Sequence, residues 1–495
     1  MAEEAPKNHD EVVVPTSEPH EEEKKKPVTL GTHLSNSKLL ESATFKEETT
    51  KVSDLPDTQN KALQELKNLI QEALNNHHFS AEKETQNKEE QNPSQPQELE
   101  KDEGGEDVKE TAVAQLEEKV VAVPTIDDDG AKTVEAIEET VVAVSVSATE
   151  NPPEEVSIWG VPLLADERSD VILLKFLRAR DFKVKEALAM MKNTIRWRKD
   201  FGIDELMEEN VGCDELEKVV FMHGLDKEGH PVCYNIFGEF EDKELYKNTF
   251  SDEEKRQRFL RWRIQLLEKS IRKLDFKPGS ISTIVQVNDL KNSPGLAKWE
   301  LRQATKEALQ LLQDNYPEFV AKQVFINVPW WYLAVNRMIS PFLTHRTKSK
   351  FVFAGPSKSA QTLLRYISAE QLPVKYGGLS KEGEFGNSDA VTEITVKPAT
   401  KHTVEFPVTE KCLLSWEVRV IGWEVSYGAE FVPSSEGSYT VIIQKARKVA
   451  SSEEAVVCNS FKIGEAGKVV LTIDNPTSKK KKLLYRFKTK TSPSD

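Results

Sequence analysis

The chain has 495 residues, with 82 acidic and 67 basic side chains and a formal net charge of −15. No run approaches the roughly 18 consecutive apolar residues that a membrane-spanning helix needs, and 4 cysteines are too few for a disulfide framework. The start of the chain is acidic and lacks the apolar run of a signal peptide. We therefore expect a reduced, cytoplasmic protein that is not secreted and does not span a membrane.

The charge is unevenly distributed along the chain. Residues 1–150 carry 35 acids and 15 bases, whereas residues 151–495 carry 47 acids and 52 bases. The first part contains neither Trp nor Tyr, so it cannot bury enough apolar surface to offset the cost of ordering. We expect residues 1–150 to be a long disordered acidic tail. Within it, leucines at helical spacing in residues 60–79 indicate either a partner-binding amphipathic helix or a transient helix.

The next parts of the chain predict a helical lobe followed by an α/β sheet. Apolar residues at helical spacing predict a helical lobe over residues 155–212. Residues 213–380 begin with a strand, a turn and a second strand, and then alternate short apolar strands with helices. This alternation predicts an α/β sheet with crossover helices.

The last part of the chain has a different pattern. Residues 390–490 contain 7 short runs of alternating apolar and polar residues, separated by Gly, Pro, Asn and Ser. Such spacing is typical of an all-β sandwich. We therefore expect a domain boundary in the loop of residues 380–390.

Motifs of catalysis and metal binding are missing from this sequence. Cys213, His223, His230 and Cys233 are spaced unlike the short paired ligands of a structural zinc site. No nucleophile elbow, metalloprotease motif or dinucleotide-binding motif occurs. We expect neither enzymatic activity, nor a cofactor, nor a nucleic-acid partner.

A basic and aromatic segment lies in the middle of the chain. Residues 251–400 carry 23 bases and 15 acids. Within them, one predicted helix has a large apolar face: Trp330, Trp331, Val335, Met338, Ile339 and Phe342. Arg346 and Lys348 follow it, as basic residues that contact anionic lipid would. The segment is either such a lipid-interface element or an ordinary core helix beside a basic loop.

Several motifs resemble those of a known family. LLKFLRARDF (173–182), GLDKEGHP (224–231), QDNYPE (313–318) and LPVKYGG (372–378) resemble CRAL-TRIO domains in the expected order. Trp416-Glu417 and WEVSY (423–427) resemble a GOLD domain. An acidic N-terminus followed by these two domains is the architecture of the plant patellins, and the chain is identified as a member of that family.

The resemblance implies an α/β CRAL-TRIO lipid-binding domain with an N-terminal helical lobe, followed by an all-β GOLD sandwich. It implies a bound phosphoinositide as ligand, in a cavity gated by the Trp330–Phe342 helix. The family's head-group positions fall on Arg180, Glu318, Thr347 and Lys350. It also implies peripheral association with phosphoinositide-containing membranes, at the plasma membrane or cell plate, and a role in trafficking and in cell-plate formation during cytokinesis.

Two alternative functions belong to other classes of protein. The chain is otherwise a protein-interaction adaptor with a vestigial cavity, recruited to trafficking proteins through GOLD or the tail, or a carrier of another hydrophobic ligand. In the sandwich, one lysine run lies at a predicted hairpin, either contacting anionic lipid or simply solvated: Lys479, Lys480, Lys481 and Lys482. The acidic tail is further expected to restrain membrane binding by the basic body.

Overall fold

A computed structural model provides the structure of the chain. It describes residues 47–79, 152–294, 298–329, 332, 348–409, 411–450 and 455–491. Three units are present: a helical lobe, a five-stranded sheet with its helices, and a sandwich of two four-stranded sheets. The fold class predicted from the sequence is confirmed.

The helical lobe contains four helices and a short hairpin. Its elements are α1 (Asp57–Asn75), β1 (Ser157–Ile158), β2 (Val161–Pro162), α2 (Arg168–Ala179), α3 (Val184–Phe201) and α4 (Ile203–Glu208). Helix α2 is buried on every side between its first turn and Arg178, because it lies between α1, α3 and the sheet. It is therefore the element best placed to carry side chains from the lobe to the sheet.

Helix α1 corrects the expectation of disorder across residues 1–150. Three residues of its apolar face are fully buried in one core with α2 and α3: Leu63, Leu66 and Ile70. Lys67 adds an ion pair to Asp170 on α2, with 2.6 Å between Nζ and Oδ1. The apolar spacing of this segment does mark an amphipathic helix, but its partner is the chain itself. Disorder is therefore the wrong description of residues 47–79.

The central sheet has the strand order β3-β4-β5-β6-β7. Its strands are β3 (Val220–Leu225), β4 (Pro231–Ile236), β5 (Ile284–Asp289), β6 (Val320–Ile326) and β7 (Phe351–Phe353). The predicted strand–turn–strand is confirmed, since β3 and β4 are antiparallel, whereas β4 to β7 are all parallel. Helices follow or join these strands: α5 (Lys243–Phe250), α6 (Glu253–Ile271), α7 (Trp299–Asn315) and α8 (Ser359–Tyr366).

The sandwich packs two antiparallel sheets, β13-β10-β15-β8 and β12-β11-β14-β9. Its strands are β8 (Thr392–Val396), β9 (Thr400–Val408), β10 (Cys412–Val420), β11 (Val425–Pro433), β12 (Val441–Val449), β13 (Val457–Ile463), β14 (Gly467–Asn475) and β15 (Lys481–Thr491). Trp416 and Tyr427 are buried between the sheets, where the indole Nε1 donates to the phenol oxygen at 2.9 Å. Strand β13 is the one that the sequence patterning missed.

Hydrogen bonds from two arginines of the sandwich join it to the sheet domain. Arg486 on β15 donates to the carbonyl oxygens of Leu379 at 2.7 Å and Gly386 at 2.9 Å. Its guanidinium also pairs with the Glu417 carboxylate at 2.7 Å, and both side chains are almost fully buried. Arg419 donates to the carbonyl oxygens of residues 374 and 378. The two domains are therefore joined by charge-assisted hydrogen bonds across the predicted boundary loop.

Candidate functional site

Polar side chains collect where the parallel strands of the central sheet begin. His230 directly precedes β4, Thr283 precedes β5, and Lys350 precedes β7, while Glu318 lies two residues before β6. Because parallel strands start at the same edge of a sheet, these residues lie together although they are far apart in sequence. Helix α2 crosses this edge and adds two cations, Lys175 and Arg178. We call this set of residues the edge pocket.

Lys175 is the most deeply buried lysine of the edge pocket, at 3% exposure. Its ammonium group donates to the carbonyl oxygens of Ser282 at 2.8 Å and Glu318 at 2.9 Å, and lies 4.3 Å from the centroid of the Phe319 ring. Burial lowers the pKa of Lys175 to about 7, although the carboxylates of Glu47 and Glu318 oppose the shift. This lysine therefore titrates close to neutral pH.

Glu318 and Lys350 form a charged pair in the edge pocket. The Lys350 Nζ lies 2.7 Å from the Glu318 Oε2, and both side chains are largely buried. Glu318 itself has a left-handed backbone with a φ of +54°, a conformation that is unfavourable for a residue with a side chain. Non-glycine residues held in this way are enriched at functional sites.

His230 lies at the far end of the pocket, between two carboxylates. Its Nδ1 is 3.1 Å from the Asp226 carboxylate, and its Nε2 is 2.9 Å from the Glu47 Oε2. Burial alone would lower the pKa of His230, but the hydrogen bonds to these two carboxylates outweigh it and raise the pKa to about 9. The imidazole is therefore a protonated, positively charged group at neutral pH.

This arrangement predicts a pH dependence of stability. Below a pH of about 6.5 His230 is protonated in both the folded and the unfolded chain, so its contacts contribute fully. As the pH rises toward about 9, the unfolded chain has lost the proton and the contribution disappears. In urea unfolding, the difference in free energy of unfolding between wild type and His230→Gln should be constant below a pH of about 6.5. It should shrink as the pH rises above that value. His223→Gln is the control and should show no trend from pH 6.5 upward, because burial lowers the pKa of His223. A constant difference for His230→Gln across the whole range would contradict the prediction.

Two of the four predicted head-group residues meet in the edge pocket, namely Glu318 and Lys350. Arg180 does not join them: it lies beyond the end of α2, and its Nη1 donates to the neighbouring Ala179 carbonyl oxygen at 2.9 Å. The arginine that the structure brings to the pocket is Arg178, which is buried. The structure therefore places Arg178 of the motif, and not Arg180, beside Glu318 and Lys350, and the head-group role of Arg180 stays a prediction.

Lys175 and Arg178 are the pocket residues that the sequence reasoning missed. They are three positions apart, so they lie on the same side of a helix. Arg180 is five positions from Lys175 and follows the last helical residue, Ala179. The helical spacing of Lys175 and Arg178 is thus the sequence signal that places these two residues on one side of α2.

The fourth predicted head-group residue and the predicted gate lie outside the described residues. These are Thr347, Trp330, Trp331, Val335, Met338, Ile339, Phe342 and the basic Arg346. Lys348 is described and half-buried. On β6 and β7, half-buried aromatic rings pack against one another, with 5.1 Å between the centroids of Phe325 and Phe353 and 5.8 Å between those of Phe325 and Phe351. They form an apolar surface along the two strands that follow Glu318 and Lys350 in the chain.

The lysine run of the sandwich is only partly a hairpin. Lys479 and Lys480 are exposed in the turn, whereas Lys481 and Lys482 already belong to β15. Lys481 is buried, with its Nζ 3.6 Å from the Glu424 carboxylate, and Lys482 pairs with Glu393 at 2.6 Å. The last two lysines therefore form ion pairs within the sandwich, and lipid contact by the lysine run stays a prediction.

Two features are absent from the described residues, namely a metal-binding cluster and a membrane-spanning helix. Among them, no cluster of His, Cys, Asp and Glu is arranged to hold a metal ion. Within the same ranges, no helix has the length and apolar character needed to cross a bilayer.

Comparison with known proteins matches three family models in chain order. They are the CRAL/TRIO N-terminal domain at residues 112–193, the CRAL/TRIO domain at 216–378, and the Patellin-1-like C-terminal GOLD domain at 397–481. Together with the fold, they define a lipid-binding protein of the CRAL-TRIO class that carries a GOLD domain.

Individual relatives are more specific. Patellin-3 of Arabidopsis thaliana is 56% identical over 451 residues, which cover 90% of this chain and 78% of Patellin-3. The chain belongs to the patellin family. A phosphatidylinositol transfer protein, SFH5 of Meyerozyma guilliermondii, is 30% identical over 237 residues, covering 44% of this chain and 67% of SFH5. Among solved structures, a crystal structure of Sfh5 matches 44% of this chain and 74% of its own, at 26% identity and a TM-score of 0.37.

Proposed function

We propose that this protein binds an inositol phospholipid, with the phosphorylated head group in the edge pocket and the acyl chains against the aromatic surface of β6 and β7. Arg178 offers a planar fork of donors to phosphate oxygens, and Lys350 offers a compact positive charge. Glu318 is placed to accept from inositol hydroxyl groups. Thr347 and the Trp330–Phe342 helix complete this proposal as further head-group contact and gate.

One observation carries the proposal: buried cations lie at the start of strands whose half-buried aromatic rings form an apolar surface. A phospholipid has the same division, with an anionic head beside apolar chains. A buried cation needs an anionic partner, because the desolvation of a charge is costly unless it is paired and hydrogen-bonded. The relative that is named a phosphatidylinositol transfer protein supports the same ligand class.

The wider role follows from the family. We propose a non-enzymatic protein of the cytoplasm that associates peripherally with phosphoinositide-containing membranes, at the plasma membrane or the cell plate. Its proposed process is membrane trafficking, including cell-plate formation in cytokinesis, with GOLD or the N-terminal tail as the contact for trafficking proteins. Residues 155–212, 213–380 and 390–490 are the proposed domain limits.

Sedimentation with vesicles tests the ligand. The full chain is mixed with phosphatidylcholine vesicles with and without a phosphatidylinositol phosphate. Lys350→Gln should weaken the binding that depends on the phosphoinositide by roughly tenfold or more, since a hydrogen bond to a charged group contributes about 1.5–3 kcal/mol and about 1.4 kcal/mol is a factor of ten.

Arg180→Gln is the matched control, because it removes one positive charge outside the edge pocket. We expect it to bind within about twofold of wild type, as its guanidinium donates to the Ala179 carbonyl oxygen and does not line the edge pocket. Equal losses for Lys350→Gln and Arg180→Gln would indicate general attraction to an anionic surface and contradict a head-group site in the edge pocket.

A further inference from the structure

The edge pocket is covered by a short acidic segment of the same chain, residues 47–50, which we call the strap. Glu48 pairs with Arg178, with 2.8 Å between Oε2 and Nε. The Thr49 carbonyl oxygen accepts from the Nη2 of Arg178 at 2.5 Å. Two donor positions of the arginine fork are therefore used by acceptors of the strap, in the way that phosphate oxygens would use them.

The strap continues across the beginning of the sheet. The Glu47 carboxylate accepts from the Thr283 hydroxyl at 2.8 Å and contacts the protonated His230 at 2.9 Å. Burial raises the pKa of Glu47, but the hydrogen bonds from His230 and Thr283 outweigh it, so the pKa is lowered. The group is therefore an anion that binds one side chain at the start of β4 and one at the start of β5.

At its other end the strap is held by backbone contacts. The Gly279 amide donates to the Thr50 hydroxyl at 2.7 Å, and Thr50 is buried. Gly279 has a φ of +82°, and a side chain there would meet the Lys51 side chain at 2.5 Å. The left-handed backbone at this position favours glycine in the loop that holds Thr50.

The strap leaves almost no space in the edge pocket. The remaining cavity is about 20 Å³, and it is lined by the strap together with Lys175, Arg178, Glu318 and Lys350. Such a volume holds roughly one water molecule. An inositol phosphate is many times larger, and its charge would be repelled by Glu47 and Glu48. The head group and the strap cannot occupy the pocket together.

We propose that the strap is an intramolecular ligand of the edge pocket, which closes it in the lipid-free protein and is displaced by the phosphorylated head group of a membrane lipid. The inference rests on the proposed function, because it takes the edge pocket as the head-group site. In this inference, the carboxylates of Glu47 and Glu48 mimic the phosphate groups of the lipid head group. Helix α1 stays docked when the strap leaves, since its contacts are with the helical lobe and not with the pocket.

The test compares two charge-matched variants of the full chain. Glu47→Gln with Glu48→Gln removes the anions of the strap, and Glu65→Gln with Glu72→Gln removes two exposed carboxylates from α1. We expect the strap variant to bind phosphatidylcholine vesicles with phosphatidylinositol bisphosphate roughly three- to tenfold more tightly than wild type, because less of the protein is closed. The α1 variant should stay within about twofold. Soluble inositol hexakisphosphate is the second probe, and wild-type binding to it as tight as to the vesicles would overturn a membrane lipid as the displacing ligand.

A second measurement needs no substitution. Hydrogen exchange of the Gly279 amide, which the strap protects, should accelerate when wild type meets these vesicles, while the amides of α1 keep their protection. Unchanged binding by the strap variant together with unchanged exchange at Gly279 would overturn the strap inference, and a loss of binding by Lys350→Gln would then show that the proposed function still stands. If neither wild type nor the strap variant binds the vesicles, both the function and the strap inference are wrong.

Discussion

Arg486→Ala should lower the free energy of unfolding by about 3–5 kcal/mol, because it leaves a buried carboxylate without its main partner. The side chains of Arg486 and Glu417 are 1% and 5% exposed, and they pair at 2.7 Å. The substitution also removes the donors for the carbonyl oxygens of Leu379 and Gly386. The loss should therefore include the junction between the sheet domain and the sandwich.

The measurement is urea unfolding followed by tryptophan fluorescence. Lys490→Ala is the control on the same strand, since Lys490 pairs with Glu384 at 2.8 Å but its side chain is 62% exposed. Exposed pairs contribute about 0–1 kcal/mol, so the control should unfold almost like wild type. Similar losses for the two variants would show that the junction does not depend on the buried pair.

Arg198→Ala should be comparably destabilising in the helical lobe. Its guanidinium forms two hydrogen bonds with the Glu268 carboxylate, at 2.6 and 3.0 Å, and the Tyr316 hydroxyl donates to the same carboxylate at 2.7 Å. Glu268 is fully buried, so removal of the arginine leaves its charge to the Tyr316 hydroxyl and to Arg272 at 3.7 Å, and should cost about 3–5 kcal/mol. Urea unfolding again gives the value.

The control for this pair is Arg196→Ala. Arg196 lies two residues earlier on α3 and is exposed, and it should cost less than about 0.5 kcal/mol. The double variant Arg198→Met with Glu268→Leu should be more stable than Arg198→Ala, because apolar groups of similar size need no charge partner. A double variant that is as unstable as the single one would mean that packing, rather than the isolated charge, sets the loss.

The sequence predicts the order and type of most elements here, because apolar periodicity is a local property. It does not show which arginine lies beside Lys175 at the end of α2, where the helix ends at Ala179 and the chain turns through left-handed backbone at Asp181 and Phe182. Arg180 follows the last helical residue and does not share the face that carries Lys175 and Arg178. Two arginines separated by one residue look equivalent in a motif, and their helical spacing from Lys175 distinguishes them.

The N-terminal segment shows a second limit. The leucine spacing of α1 indicates a helix but not what it packs against, since the partner helices begin about a hundred residues later. The strap has no periodicity at all, and its bonds to Arg178 and His230 join residues 129 and 183 positions apart. Composition averaged over 150 residues therefore hid a short folded part inside an otherwise acidic and polar region.

The docking of α1 has a consequence for how strongly any soluble molecule can compete for the edge pocket. Helix α1 begins at Asp57, only a few residues after Thr50, so it acts as a short tether for the strap. A segment held by so short a tether has an effective concentration of the order of millimolar beside its site. A dilute soluble anion must overcome that local excess, whereas a membrane presents a dense plane of head groups together with apolar chains. The tether thus favours a packed lipid surface over free inositol phosphates.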